Sequence, residues 1–227
     1  MSHQATYTSS EIPQLCDRVQ EHYLLKRKSD PQCRYLISLA GVPGSGKTTF
    51  ANAIAKKLST FAKTIVLPQD GFHLYRSELA LMADPKEAFQ RRGAPFTFNP
   101  QAFISLISKL NDRSQTIKAP SFDHKLKDPI EDDIVIHSDV DIIIIEGNYV
   151  SLRDKYWDEI ENYVDDTWFI ETSKDLVRER IIRRHLDAGI AANKEEAAAR
   201  ADGSDMQNAL YINNKSKPTN VLILSTT

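Results

Sequence analysis

Only two cysteines, Cys16 and Cys33, occur in 227 residues. Two thiols make no disulfide framework and their spacing matches no common metal pattern, so reduced thiols of a cytoplasmic protein are expected, with the nucleus left open. Long apolar runs are also missing. The longest β-branched run, Ile142-Ile143-Ile144-Ile145, falls far short of the roughly 20 residues a membrane span needs. The polar first ten residues lack the apolar stretch of a secretory signal. Net charge of one sign is absent too: 29 Lys and Arg against 31 Asp and Glu leave a formal charge of −2. That balance gives no bulk attraction to nucleic acid or to an anionic membrane. What is present, 41% hydrophobic and 26% charged residues, is enough for a sizeable core. The length suits one large α/β domain, 1–227, carrying an insertion.

The pattern alternates strands and helices. A helix is expected over 10–28, with Ser10 as its cap and Ile12, Leu15, Val19 and Tyr23 on one face. A short apolar strand over 34–40 runs into a glycine-rich loop, followed by helical spacing at Phe50, Ala53, Ile54 and Leu58. A second strand, 64–67, ends at Pro68-Gln69-Asp70-Gly71. The stretch 72–98, with Pro85, Gly93 and Pro95, reads as an irregular insertion containing some helix. Asn99-Pro100 is a cap and first-turn pair for the next helix. A loop over 118–133 and short strand material at 134–136 come next. The continuous apolar strand 141–145 then suits a position buried on both faces of a parallel sheet. Strand 168–170, a basic amphipathic helix over 173–186 with Ile181, Ile182 and Leu186 as its packing face, a surface helix over 190–201 and a last strand over 220–224 complete a doubly wound, mostly parallel α/β sheet.

Glycine is scarce, eight in all, yet three fall in Gly41-Val42-Pro43-Gly44-Ser45-Gly46-Lys47-Thr48-Thr49. Residues 41–48 fit G-x-x-x-x-G-K-[ST] between an expected strand and an expected helix. In that context successive backbone N–H groups and the positive end of the helix dipole converge on phosphate oxygens. Gly41, Gly44, Ser45, Gly46, Lys47, Thr48 and Thr49 form the expected ATP-binding set. Lys47 would neutralise the β and γ phosphates, and the Thr48 hydroxyl would join a Mg²⁺ shell. Glu146 ends the long buried strand, at the carboxyl edge where ligands bind in such sheets. It could serve the metal, orient a nucleophile or merely cap a following helix. Asp70 ends the neighbouring strand; it could accept the proton of an attacking hydroxyl or simply be the aspartate of an Asp-Gly turn. The adjacent Arg91 and Arg92 could clamp a carboxylate or phosphate, or stand solvated.

Together, residues 41–48, Asp70-Gly71-Phe72-His73, Arg91-Arg92-Gly93-Ala94-Pro95, Pro120-Ser121-Phe122-Asp123-His124 and Ile145-Glu146-Gly147-Asn148-Tyr149 resemble the phosphoribulokinase, uridine kinase and bacterial-type pantothenate kinase superfamily. The resemblance spans about 35–224 and is nearest the fungal uridine-kinase-like branch. It implies a P-loop kinase using ATP and Mg²⁺ on a small-molecule acceptor, uridine or cytidine first, with a sugar, glycerate-like or pantothenate-like acid as alternatives. It implies Asp70 as general base or magnesium-linked acid, and Thr48 and Glu146 as metal partners. It also implies His73, Arg91, Arg92, Phe122 and His124 as acceptor contacts; Phe122 stands where tyrosine is usual, so one hydroxyl contact is lost. Arg180 and Arg184, four apart on one helical face, match arginines of a mobile lid over 178–205, although Leu186-Asp187-Ala188-Gly189 departs from the family's lid sequence.

Two other classes are weighed against this. A GTP switch usually needs Asn-Lys-x-Asp, and Asn214-Lys215-Ser216-Lys217 lacks the aspartate. A nucleic-acid-stimulated ATPase is disfavoured by the acidic balance. The oligomeric state is left open, homo-oligomers included.

Overall fold

The apolar runs pair into one six-stranded sheet. The structure, a computed structural model describing residues 4–226, contains β1 (Ala5–Thr8), α1 (Ile12–Ser29), β2 (Tyr35–Gly41), α2 (Lys47–Leu58), β3 (Thr64–Pro68), α3 (Arg76–Leu79), α4 (Pro85–Gln90) and α5 (Pro100–Ile107). There follow β4 (Ile117–Asp123), β5 (Asp128–Ile136), β6 (Ile142–Gly147), β7 (Asp166–Glu171), α6 (Lys174–Asp187), α7 (Lys194–Arg200), α8 (Met206–Lys215) and β8 (Val221–Leu224). The main sheet has the order β1-β8-β7-β2-β6-β3 and every pairing in it is parallel.

Strands β2 and β6 are neighbours in its interior, each paired on both sides, and every residue in both is buried. Alternate side chains feed two cores. Ile142 and Ile144 pack with Ile37, Leu39, Leu15 and Ile54 beneath α1 and α2, whereas Ile143 and Ile145 pack with Leu36, Leu67, Phe103 and Ile181 on the opposite face. Each such isoleucine contributes about 1.5–3 kcal/mol through burial. Cys16 and Cys33 are both buried free thiols. Arg34, wholly buried just before β2, donates to the carbonyls of Val140 (3.0 Å), His137 (2.9 Å) and Leu110, so a charge in the interior is satisfied by backbone dipoles.

Five local expectations need correction. The stretch 118–133 is not a loop: β4 and β5 form an antiparallel hairpin outside the main sheet. Its outward side chains are Lys, Glu and Asp, and a register shift falls at Pro120, which has no N–H to donate; neither feature leaves a strand-like apolar period. Ser10 does not cap α1. Glu11 stands at that position, and its carboxylate instead accepts from Thr8 N at 2.7 Å. The polar opening segment supplies a short strand, β1, which pairs with β8 at the sheet edge. The expected helix at 190–201 begins only at Lys194, where Asn193 accepts from Glu196 N, and the chain then passes through a π-helical turn, Ala201–Asp205, into the unforeseen α8. Finally, Leu186 is exposed, and Val177, Ile181, Ile182 and His185 form the packing face of α6. Elsewhere Asn99 caps α5 as expected, accepting from Ala102 N at 3.0 Å.

Candidate active site

Strand β2 ends at Gly41, and five residues later Gly46 opens α2 with φ +89°. Gly44 has φ +76°, and a Cβ there would stand 3.0 Å from both the Ile181 side chain and the Val177 carbonyl. The loop therefore turns against α6 in a shape that only glycine adopts without strain. No side chain caps α2, so its first-turn N–H groups remain available, backed by the helix dipole. Lys47 folds back toward the Val42 carbonyl at 3.4 Å, and Thr48 Oγ1 donates to Glu146 Oε1 at 3.0 Å. Ser45 is buried, and its Oγ has no partner among the described residues. Thr49 is exposed in the same first turn.

Electrostatics tie these groups together. Burial pushes the Lys47 ammonium below its ordinary pKa, against the opposing pull of Glu146 and Asp70. Burial pushes the Glu146 carboxyl above its ordinary range, opposed by Lys47. Register explains the convergence: Glu146 lies opposite Leu39 of β2 on one side and Pro68 of β3 on the other, at the carboxyl edge of three neighbouring strands.

Asp70 lies two residues beyond β3 in a 3-10 turn, Gln69–Phe72. That turn is pressed onto the hairpin, since a Cβ at Gly71 would fall 2.0 Å from the Pro120 carbonyl oxygen. His73 donates from Nδ1 to the Asp70 carbonyl at 2.8 Å, and its ring lies between Phe98 and Phe122 with centroids 3.9 and 4.6 Å away. Burial among these rings holds the imidazole below its ordinary pKa, so it is neutral near pH 7. His124 is exposed at the hairpin tip, its ring edge-on to Phe122.

The two arginines of the insertion separate. Arg92 donates to Leu74 O (2.9 Å) and Asp128 Oδ1 (3.3 Å) and lies over the Phe122 ring, so it ties the insertion to the hairpin. The Arg91 side chain has no hydrogen bond or ion pair among the described residues, and its Nε is shut off from solvent. Tyr149 is wholly buried, its hydroxyl donates to the Gly93 carbonyl, and burial raises its pKa, with the charge of Arg91 opposing and that of Asp70 reinforcing. Its backbone N–H donates to Gln69 Oε1. Gln69 and Tyr149 hold the turn and the strand end together, a role that neither residue type announces in sequence.

On α6, Arg180 Nη1 reaches the Gly44 and Ser45 carbonyls at 3.4 and 3.2 Å, the side of the loop away from its N–H groups. Thr172 Oγ1 donates to Ser45 O at 3.3 Å. Arg184 pairs with Asp205 at 3.1 Å, and its charge is felt at Lys47. Arg178 pairs with Asp202, and both side chains are exposed.

An uncapped helix N-terminus, two left-handed glycines and a buried ammonium match a polyphosphate. Thr48, Glu146 and Asp70 match Mg²⁺, which takes few protein ligands and completes its shell with phosphate oxygens and water. No cluster of three His, Cys, Asp or Glu converges among the described residues. No helix among them is long and apolar enough to cross a membrane.

A family profile described as Phosphoribulokinase / Uridine kinase matches residues 36–223. An ATP-dependent kinase-like protein of Aspergillus versicolor is 40% identical over 144 residues, 62% of this chain and 84% of that protein. A Schizosaccharomyces pombe protein with a provisional uridine kinase name is 39% identical over 187 residues, 80% of this chain and 79% of that one. A crystal structure from Silicibacter sp. TM1040, provisionally described as a fructose transport system kinase, superposes with a TM-score of 0.82 at 31% identity, covering 93% of this chain and 98% of that one.

Proposed function

The chain belongs to the phosphoribulokinase / uridine kinase family of P-loop kinases, and from that premise we propose that it transfers the γ-phosphoryl group of ATP to a small-molecule hydroxyl with Asp70 as the base. The observation that carries this reading is the convergence of Lys47, Thr48, Glu146 and Asp70 at the carboxyl edge of β2, β6 and β3. The loop N–H groups and Lys47 hold the triphosphate. Thr48 and Glu146, with Asp70 beside them, would hold Mg²⁺, which when bound would neutralise charge on the phosphate oxygens. Asp70 accepts the proton of the acceptor hydroxyl as its oxygen approaches the γ-phosphorus in line. Arg184, and Arg180 through the loop, stabilise charge on the transferring group.

The acceptor lies between Asp70, His73, Tyr149 and the hairpin, with Phe122 and His124 at its outer side. Uridine or cytidine is the first acceptor by likeness to the Schizosaccharomyces pombe relative. A second reading, a sugar or hydroxy acid bearing an anionic group, is supported by the unpaired Arg91 and by likeness to the Silicibacter structure. ADP release measured against nucleosides, sugars and hydroxy acids decides between them. Turnover confined to neutral nucleosides, unchanged by Arg91→Ala, removes the second reading. Lys47→Ala should abolish turnover in a folded protein; retained turnover would overturn the kinase mechanism as drawn.

A further inference from the structure

Arg184 and His185 are adjacent on α6 and converge on a single carboxylate. Arg184 Nη2 donates to Asp205 Oδ1 at 3.1 Å, while His185 Nε2 stands 3.1 Å from Asp205 Oδ2. His185 is buried and its Nδ1 has no partner among the described residues, so Asp205 is the ring's polar anchor there. Asp205 itself is largely sheltered, with about a fifth of its side chain exposed. It closes the π-helical turn Ala201–Asp205, which is broken at Gly203 by a ψ of −110°. The chain is kinked at Gly203, and Asp205 follows that kink at the start of α8.

The cluster sits on α6, the helix that packs on the phosphate loop through Val177, Ile181 and Arg180. The charge of Arg184 is felt at Lys47, on the phosphate side, and that of Asp205 at Tyr149, on the acceptor side. The Asp205 contact occupies only Nη2 of Arg184, and a guanidinium has five N–H donors in a fixed fork. Among the described residues the rest of the fork has no hydrogen-bond partner, which leaves it for phosphoryl oxygens in an orientation fixed by an acid that is itself fixed by a buried ring.

We propose that Asp205 is a positioning residue that aims Arg184 at the transferring phosphoryl group, with His185 anchoring the Asp205 carboxylate. The proposal rests on the reading of Arg184 given above. Arg178 serves as a contrast: its partner Asp202 lies in the same turn, but both side chains of that pair are exposed.

Calorimetric affinities for MgADP, alone and with aluminium fluoride as a mimic of the transferring group, test this without knowledge of the acceptor. Arg184→Ala and Asp205→Asn are each expected to weaken the aluminium fluoride complex by ~10-fold, the lower end for residues that orient a working ligand. MgADP alone should bind as before. The double variant should be no weaker than Arg184→Ala, since both act through one guanidinium. Asp205→Glu, which keeps the charge, should recover part of the loss, and circular dichroism checks the fold of every variant. An unaltered Asp205→Asn, equal losses for MgADP alone, or additive losses in the double variant would overturn the proposal while leaving Arg184 in place. An unaltered Arg184→Ala would overturn the reading of Arg184, and the proposal with it.

Discussion

Thr48 Oγ1 donates to Glu146 Oε1 across 3.0 Å, joining the first turn of α2 to the end of β6. Burial has already raised the pKa of this carboxyl, so a proton competes for it at a pH where surface acids stay ionised. Glu146→Gln keeps the shape and removes the charge. Turnover at limiting Mg²⁺ should fall ~10–100-fold, as for lost metal-orienting partners, and titration of rate against Mg²⁺ measures it. In the unaltered protein the Mg²⁺ requirement should rise as the pH is lowered toward the ordinary carboxylate range, because the protonated acid is a poor ligand.

Gly44→Ala should be costly for two reasons that act together. Its φ of +76° strains any residue with a Cβ, and that Cβ would press on Ile181 and the Val177 carbonyl. A loss of roughly 1–2 kcal/mol is expected from the backbone alone. Thermal unfolding gives this loss, and MgATP affinity should fall with it because the same atoms shape the phosphate loop.

Arg180 and Arg184 should separate kinetically although they lie on one helical face. Arg180 braces the carbonyls of Gly44 and Ser45, so Arg180→Ala should mainly raise the KM for ATP. Arg184→Ala should mainly lower kcat, since the charge of that guanidinium is felt at Lys47 while its one contact is to Asp205. Steady-state kinetics of the two variants should show opposite KM and kcat patterns.

His73 gives the fold an acid-sensitive point. Its folded pKa lies below the ordinary 6.5, chiefly through burial, with Asp70 opposing and the charges of Arg92 and His124 reinforcing. The neutral ring is favoured in the folded state. Its contribution to stability is therefore full above pH 6.5 and is lost as the pH falls toward and through the lowered value. His73→Phe cannot take up a proton and keeps the stacking on Phe98 and Phe122, at a cost of about 1 kcal/mol for the lost bond to the Asp70 carbonyl. Its denaturant midpoints should vary less with pH between 5 and 7 than those of the parent.

The phosphate side of the site was open to sequence reading because its chemistry is local. Gly44, Gly46, Lys47 and Thr48 act within one loop, and the isoleucines before Glu146 mark a strand buried on both faces without reference to anything distant. The acceptor side was less legible because its roles depend on contacts between remote segments. Arg91 and Arg92 look alike in sequence, and only Asp128, 36 residues further on, distinguishes them. Asp205 gave no signal either, because its partners come into reach only through the irregular turn that carries it. The hairpin was missed for a third reason: it lies outside the main sheet and its register is broken at Pro120.

Gly71, whose missing side chain lets the hairpin backbone settle on the turn next to Asp70, also limits how acceptor preference can be redesigned. Hairpins exchanged among relatives would change more than the surface that meets the acceptor. The middle of β4, at Pro120, is in effect the bed on which the base rests, so a graft that lifts it carries Asp70 with it. Selectivity and rate are mechanically linked here, and successful swaps should require the 69–73 turn and the 117–136 hairpin to be moved as one cassette.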